Sequence, residues 1–494
     1  MWPYLLLVLV ALLIIKLINV CLFWSKRGLP YESWPRHFYR LLWLFNTRVI
    51  SEVIRDDVKK YGTIYGTYRG LTPSLMVADA EIAKEVLIKQ FGSFFGRTFE
   101  FSTGDALWDN TLTHLPYDQW KAVRTVMGYT FTSSKIKGMI PKFDKVAKRY
   151  GNTIAAVAKS NHNEIDLKKL FYNYSMDSIV AVSFGIDLDC LNDPDNDFVK
   201  YGTQILRPGL SLILAFTFPS IIRYLPFAHF PPKGATKFFG NIGKHILAEK
   251  KKNLDEVIKN GTADILDLHL IAQKENADNY ITDEVLASQA FLFFIGGIET
   301  SAITLQLCTY FLATNPEVQD RVYDEVKHIM GERTEVHYDD VQKMKLLEAC
   351  LLESLRIVPI TFSIDRIATE DTEVAGIAIK KGMIVEFPIA FLHHDPKYFP
   401  EPDKFIPERF LKDEQVVSET SAFLTFGDGP KSCIGRRLAL ILIQVLIADI
   451  LLKVRFDKCS KTPVPLQLRP GFNFTDIFLM PLILRLTPRQ EVMR

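Results

Sequence analysis

FGDGPKSCIGRR, Phe426–Arg437, sets a single cysteine among glycines and basic residues. No second cysteine follows Cys433 at a zinc-ligand spacing, and the last histidine, His394, stands far upstream. A tetrahedral metal site does not fit that pattern. Gly427, Gly429 and Gly435 permit backbone turns that other residues resist, and they let a bulky planar group lie close to the chain. Lys431, Arg436 and Arg437 supply positive charge that favours a thiolate over a thiol. The following stretch Arg436–Ile450, RRLALILIQVLIADI, has no proline or glycine and reads as a buried helix. Its positive dipole end would face the sulfur. Two readings stand at this point: an inert buried cysteine, or a thiolate presented to a ligand.

The bulk properties narrow the field. The chain has 494 residues, of which 48% are hydrophobic, enough for a large core. A formal net charge of +2 gives no argument for nucleic acid. The six cysteines are scattered, without the density of a disulfide scaffold, which suits a reducing compartment. The N-terminus is apolar from Met1 to Trp24 apart from Lys16 and Asn19, and Lys26 and Arg27 follow it. About 20 apolar residues span a bilayer, and the basic residues come after the run rather than before it. Residues 1–24 are therefore expected to be a single retained transmembrane helix, with the rest of the chain on the cytosolic side. Residues 25–35, with two prolines, read as a linker, and 36–494 as one catalytic domain. The sequons at Asn173, Asn260 and Asn473 should then stay bare.

Strand-like stretches occur at Thr63–Tyr68, Ser74–Val77, Met383–Phe387 and near Leu482–Leu486, and most of the remainder has helical periodicity. Thr282 is a good N-cap for a helix running to Thr314, where Asn315-Pro316 stops it. Further helices are expected from Pro316 to Met330, ending at Gly331, and from Lys345 to Ile357 before Pro359. Leu206–Pro232, rich in phenylalanine and leucine, reads either as core or as a surface dipping into a membrane.

Three constellations stand out. The long helix contains FFIGGIETSA, where two adjacent glycines cost about 1 kcal/mol each relative to alanine. Gly296 and Gly297 either make room for a flat ligand or mark a helix crossing. Glu299 and Thr300 follow, and Thr300 is placed to bond back to the Gly296 carbonyl. Glu353 and Arg356 stand at i and i+3 on a helix apolar on most sides, either a solvated pair or a buried one that needs further partners. Trp120 and Arg124 lie one helical turn apart: two donors for an anion, or an arginine packed on a surface indole.

Together these pieces fit one pattern. F-x-x-G-x-x-x-C-x-G is met by Phe426, Gly429, Cys433 and Gly435; (A/G)-G-x-(D/E)-T-(T/S) by Gly296–Ser301; E-x-x-R by Glu353 and Arg356; P-E-R-F by Pro407–Phe410; and W-x-x-x-R by Trp120 and Arg124. The chain resembles a cytochrome P450 of the microsomal, membrane-anchored kind. The resemblance implies a fold that is mainly α with small β-sheets, and haem b as cofactor. It makes Cys433 the thiolate axial ligand of the haem iron, with Gly429 and Gly435 letting the loop approach the porphyrin. Thr300 and Glu299 match the family's proton-delivering pair. Glu353, Arg356 and Arg409 match its internal salt-bridge network. Trp120, Arg124 and Arg366 match propionate binders. Lys431 stands where the family usually has arginine and lacks the bidentate fork. Gly296 replaces the commoner alanine.

The function so implied is monooxygenation: one atom of O2 enters an apolar organic substrate and the other leaves as water. Electrons come from NADPH through NADPH-cytochrome P450 reductase, with cytochrome b5 as a further partner. Lys121, Lys135, Lys137, Lys431, Arg436 and Arg437 are candidates for a basic docking face. The location implied is the endoplasmic reticulum membrane. By analogy the substrate pocket draws on residues 98–115, 200–232, 359–365 and 472–478. These include Phe99, Phe101, Leu107, Phe216, Phe218, Ile360, Phe362, Phe472, Phe474 and Phe478, a set that favours a bulky lipid, steroid or foreign compound. The rival readings are an O2-independent isomerase or dehydratase of the same fold, and a haem-binding protein without catalysis.

Overall fold

A computed structural model describes residues 2–489 except 41–42, 44–46, 99, 101, 206–230, 261–262, 276–279, 414, 418–419 and 471–480. The expected pocket residues Phe99, Phe101, Phe216, Phe218, Phe472, Phe474 and Phe478, and the sequon at Asn473, lie outside the described residues. Helices dominate, and the expected helices and strands end within three residues of their sequence bounds, close to the usual fraying of ends. Thr282 caps the long helix Asp283–Thr314 by accepting from the Val285 N–H at 3.3 Å. Pro316 opens the next helix, which closes at Met330 before Gly331 at φ 56°.

The long helix is apolar and long enough to cross a membrane, yet it is buried in the centre of the protein. It packs along the helix Leu167–Ser183. Gly297 makes that closeness possible, because a Cβ there would stand 2.9 Å from the Cδ1 of Ile179. A second crossing fixes the helix that follows the cysteine, Arg436–Lys453, on Ser133–Ala158. At Gly151 a Cβ would fall 1.7 Å from the Asp449 carboxylate, so a larger residue would displace that side chain.

The main sheet orders its strands as Ile64–Arg69, Thr72–Val77, Ile384–Phe387 and Ile364–Ile367. The Thr72–Val77 and Ile384–Phe387 pair is parallel and the other two pairings are antiparallel. A second sheet joins Val454–Asp457, Ile483–Pro488 and Glu164–Asp166, and so ties the chain's end to the start of Leu167–Ser183.

The N-terminal helix Trp2–Cys21 exposes apolar side chains, with Tyr4 at 75% and Leu7 at 65%. Part of the stretch 25–35, expected as a linker, touches the main sheet, while most of its residues stay partly or fully exposed. Trp24 is fully buried in the space left by Gly66 and donates its indole N–H to the Thr67 carbonyl at 2.8 Å. Glu32 and Pro30 exchange backbone hydrogen bonds with Gly66. The Glu32 carboxylate, wholly buried, then holds Arg40 at 3.0 Å, and Arg40 also pairs with Asp57. The physical reason is a nonlocal fit: a glycine in a strand far along the chain receives a tryptophan. Asn173 is buried as well, so its sequon is out of reach in the folded protein; the Asn260 side chain lies outside the described residues.

Candidate functional site

A cavity of about 480 Å³ lies between the long helix and the cysteine loop. The loop is shaped by its own hydrogen bond, from the Cys433 N–H to the Phe426 carbonyl at 2.8 Å, and by left-handed glycines. Gly429 is required twice over: its φ is 69°, and a Cβ would stand 2.1 Å from the Leu87 carbonyl oxygen. Gly435 is different. Its backbone is ordinary, a Cβ would meet nothing within 4 Å, and it lines the cavity. The same holds for Gly296 across the cavity on the long helix. The two readings of Gly296 and Gly297 therefore both apply, one to each residue: Gly297 is a helix crossing and Gly296 clears space.

Cys433 is surrounded by protein, but its surface opens onto this cavity. Burial pushes its thiol up, against the pull of the Gly435 N–H, the Arg124 charge, and then the N–H and charge of Arg436. Arg124, which donates to the Ser432 carbonyl at 2.7 Å, is thus a principal cationic neighbour. Arg437 is turned away to Ser133 and Tyr338. Lys431 pairs with Glu100 at 2.5 Å and sits 3.6 Å above the Phe95 ring; burial pulls its ammonium down to about 8. Lys431 is buried, so it drops out of the expected basic face, while Lys121, Lys135, Lys137, Arg436 and Arg437 remain exposed.

Trp120 and Arg124 both line the cavity, Trp120 packed against Phe91 and Phe95 with ring centroids 5.6 and 5.3 Å apart. Arg366 lies close by on the sheet, wholly buried. One nitrogen donates to the Asp365 carbonyl at 2.8 Å; Nε and Nη2 have no partner among the described residues. Burial, and then the neighbouring charge of Arg97, lowers its guanidinium to about 9. Arg97 itself lines the cavity and donates to the Lys431 carbonyl. Sequence reading missed Arg97, because nothing in GRTFE separates it from any loop arginine.

Glu353, Arg356 and Arg409 come together away from the cavity. Arg356 grips both oxygens of Glu353, at 2.7 and 2.9 Å, and Arg409 reaches one at 3.3 Å. Arg356 also donates to the His393 carbonyl, and His393 accepts the Leu424 N–H at 3.0 Å, so the network holds the chain leading into the cysteine loop.

Thr300 and Glu299 are not brought together. The Thr300 hydroxyl donates to the Gly296 carbonyl at 2.7 Å and lines the cavity. Glu299 opens onto a second cavity on the opposite side of the helix. Burial raises its carboxyl, opposed by the charge of Lys168. Leu107, expected in the pocket, lies against Gly240, whereas Ile360 and Phe362 do line it.

A family model of cytochrome P450 matches residues 30–481. The chain belongs to the cytochrome P450 family. It is 36% identical over 457 residues to cytochrome P450 3A56 of Fundulus heteroclitus, covering 90% of this chain and 88% of the relative. It is 33% identical over 480 residues to cytochrome P450 3A25 of Mus musculus, covering 94% and 92%. As a cytochrome P450 it is an oxidoreductase, a monooxygenase that binds haem and takes electrons from a redox partner. The residues present fit that cofactor. A thiol faces Gly296 and Thr300 across an apolar space, and Arg366, with two nitrogens that have no partner among the described residues, suits a carboxylate.

Proposed function

We propose that this cytochrome P450 oxidises bulky apolar organic molecules, with Cys433 as the thiolate ligand of the haem iron. The observation that carries the reading is the Cys433 sulfur opening onto a cavity walled mainly by apolar side chains such as Leu112, Phe293, Ile360 and Phe362. Bound haem supplies the oxygen activation and the oxidising power. The protein's own groups do the rest. The Gly435 and Arg436 N–H groups and Arg124 hold the negative sulfur; Trp120, Arg97, Arg124 and Arg366 hold the propionates. Thr300, tethered to Gly296, holds a proton on its hydroxyl beside the site of oxygen chemistry. Glu299 contributes only by turning across the helix. The apolar lining excludes water and favours lipid, steroid or foreign compounds over small polar ones.

The reading extends to the setting. Trp2–Cys21, apolar apart from Lys16 and Asn19 and followed by Lys26 and Arg27, acts as a single-pass anchor in the endoplasmic reticulum membrane with the catalytic domain in the cytosol. The exposed Lys121, Lys135, Lys137, Arg436 and Arg437 form the face for NADPH-cytochrome P450 reductase and cytochrome b5.

The test is spectral and kinetic. The reduced, carbon-monoxide-bound protein should show the red-shifted Soret band of thiolate-ligated haem, and Cys433→Ala should abolish it. Thr300→Ala should keep that band while NADPH oxidation runs ahead of product formation; tight coupling in this variant removes Thr300 from its role. A binding-spectrum screen across lipids, steroids and drug-like compounds assigns the substrate class, and preference for small polar molecules would sink the apolar reading.

A further inference from the structure

Among the described residues Trp120 is the only tryptophan or tyrosine that lines the haem cavity. The other aromatic rings of its wall are phenylalanines, such as Phe131, Phe293 and Phe362. Indole and phenol give up an electron far more readily than the phenylalanine ring. A one-electron oxidation spreading from this cavity into aromatic residues therefore has one entry.

Trp120 leads on to a second oxidisable ring. Tyr117 stands one turn before it, at the start of the helix Tyr117–Thr130, and the two ring centroids are 6.2 Å apart. Phe95 packs edge-on against both, 5.0 Å from Tyr117 and 5.3 Å from Trp120, and so fixes their contact. Trp120 is buried, whereas Tyr117 is 44% exposed. The pair joins the cavity wall to solvent in a single step.

Monooxygenation creates a use for such a connection. Inserting one oxygen atom is a two-electron oxidation, so a turnover that misses its substrate leaves two oxidising equivalents inside the protein. We propose that Trp120 and Tyr117 relay these equivalents to the surface, a protective reaction separate from substrate oxidation. The haem side takes one electron from the Trp120 indole. Tyr117 returns an electron to the indole and loses its phenolic proton to water. The exposed phenoxyl radical then takes a hydrogen atom from a small thiol in solution. Two passages consume both equivalents, and the two thiyl radicals join as one disulfide. Inward, the two electrons and two protons from solvent release the unused oxygen atom as water. Proton loss at the exposed end sets the direction. Lys431 stands 5.9 Å from the Trp120 ring, but its partner Glu100 offsets its charge there.

The relay depends on haem filling the cavity as proposed above, and the experiment scores that separately. Full-length, haem-loaded protein is used, and the reduced carbon-monoxide band is recorded for every sample. Loss of that band marks a failed haem seat, not a failed relay. Substrate-free protein is then mixed with a peracid, freeze-quenched and examined by electron paramagnetic resonance. Wild type should show a tyrosyl radical, and Tyr117→Phe should lose it. Tyr129→Phe, which removes an exposed tyrosine from the same helix, should keep it. In substrate-free turnover with NADPH, reductase and catalase, glutathione should slow haem bleaching in wild type but not in Tyr117→Phe. Tyr117→Trp, which keeps an oxidisable ring, should retain that protection. Absence of a tyrosyl signal in wild type, the same signal in Tyr117→Phe, or equal protection of the two by glutathione each overturns the proposal.

Discussion

Two buried charge clusters flank the cysteine loop, and they are built on opposite principles. In the Glu353 cluster the protein supplies both signs: the carboxylate accepts from Arg356, Arg409 and the Ile406 N–H, and Arg356 spends its remaining donors on the His393 and Lys404 carbonyls. In the Arg366 cluster Asp365 and Glu100 set their charges against Arg97 and Arg366, yet two Arg366 nitrogens have no partner among the described residues. Both are equally buried, so burial does not separate structure from function here. Completeness does: a closed network holds the chain, and an unclosed one is shaped for an anion brought by a ligand.

The largest expected effect comes from breaking the closed cluster. Glu353→Ala leaves Arg356 charged, buried and without its carboxylate, which costs about 3–5 kcal/mol. The thermal unfolding midpoint should collapse and haem should be lost on purification. A variant that unfolds within a few degrees of wild type would place Glu353 among ordinary surface pairs.

The same cluster gives a pH dependence. His393 donates from Nδ1 to the Arg356 carbonyl and accepts at Nε2, so only the neutral ring fits. Burial, then the charges of His394 and Arg356, lowers it to about 3 from an ordinary 6.5. The unfolded chain binds the proton more readily, so this contribution is complete above about pH 6.5 and is lost as pH falls toward 3. The loss runs at up to about 1.4 kcal/mol per pH unit. Denaturant midpoints across that range should show the slope, and His393→Gln should flatten it; an identical slope in the variant would move its origin elsewhere.

How much of this was legible in the sequence depends on range. Local signals carried far: the Thr282 cap, the Asn315-Pro316 stop and the glycines around Cys433 each follow from a few neighbouring residues. The Glu353–Arg356 pair was legible as a spacing, but only the fold shows that it is sealed, because its other partners stand at 393, 404, 406 and 409. The separation of Glu299 from Thr300 follows from helical geometry, since successive residues point about 100° apart, whereas their pairing came from the family resemblance. Arg97, the docking of Trp24 under Gly66 and the missing partners of Arg366 depend on contacts between distant segments, and no local pattern encodes them.

The unclosed cluster should respond with opposite signs in its two forms. Arg366→Met removes a buried charge that Asp365 and Glu100 offset only in part, so haem-free protein should be unchanged or more stable, by about 1–2 kcal/mol. Haem-loaded protein should release haem to a scavenger about tenfold faster, having lost charge-assisted bonds to a carboxylate. Destabilisation of both forms would mean that Arg366 belongs with the structural network.

Lys431 stands between the two clusters and should give the smallest change. It lines the cavity, yet its ammonium is closed by Glu100 and by the Phe95 ring, so the protein supplies both signs as it does at Glu353. If the pair is truly closed, Lys431 gives little to a propionate, and Glu100→Gln should free it to turn toward the cavity. Haem release would then slow by about twofold to fivefold, the scale of one partly screened ion pair. Lys431→Met separates the alternatives. A closed pair predicts haem release close to wild type, because the lost partner is Glu100. An accelerated release comparable to Arg366→Met would instead put Lys431 among the groups that hold the propionates, and the line between the clusters would run through Glu100 rather than around it.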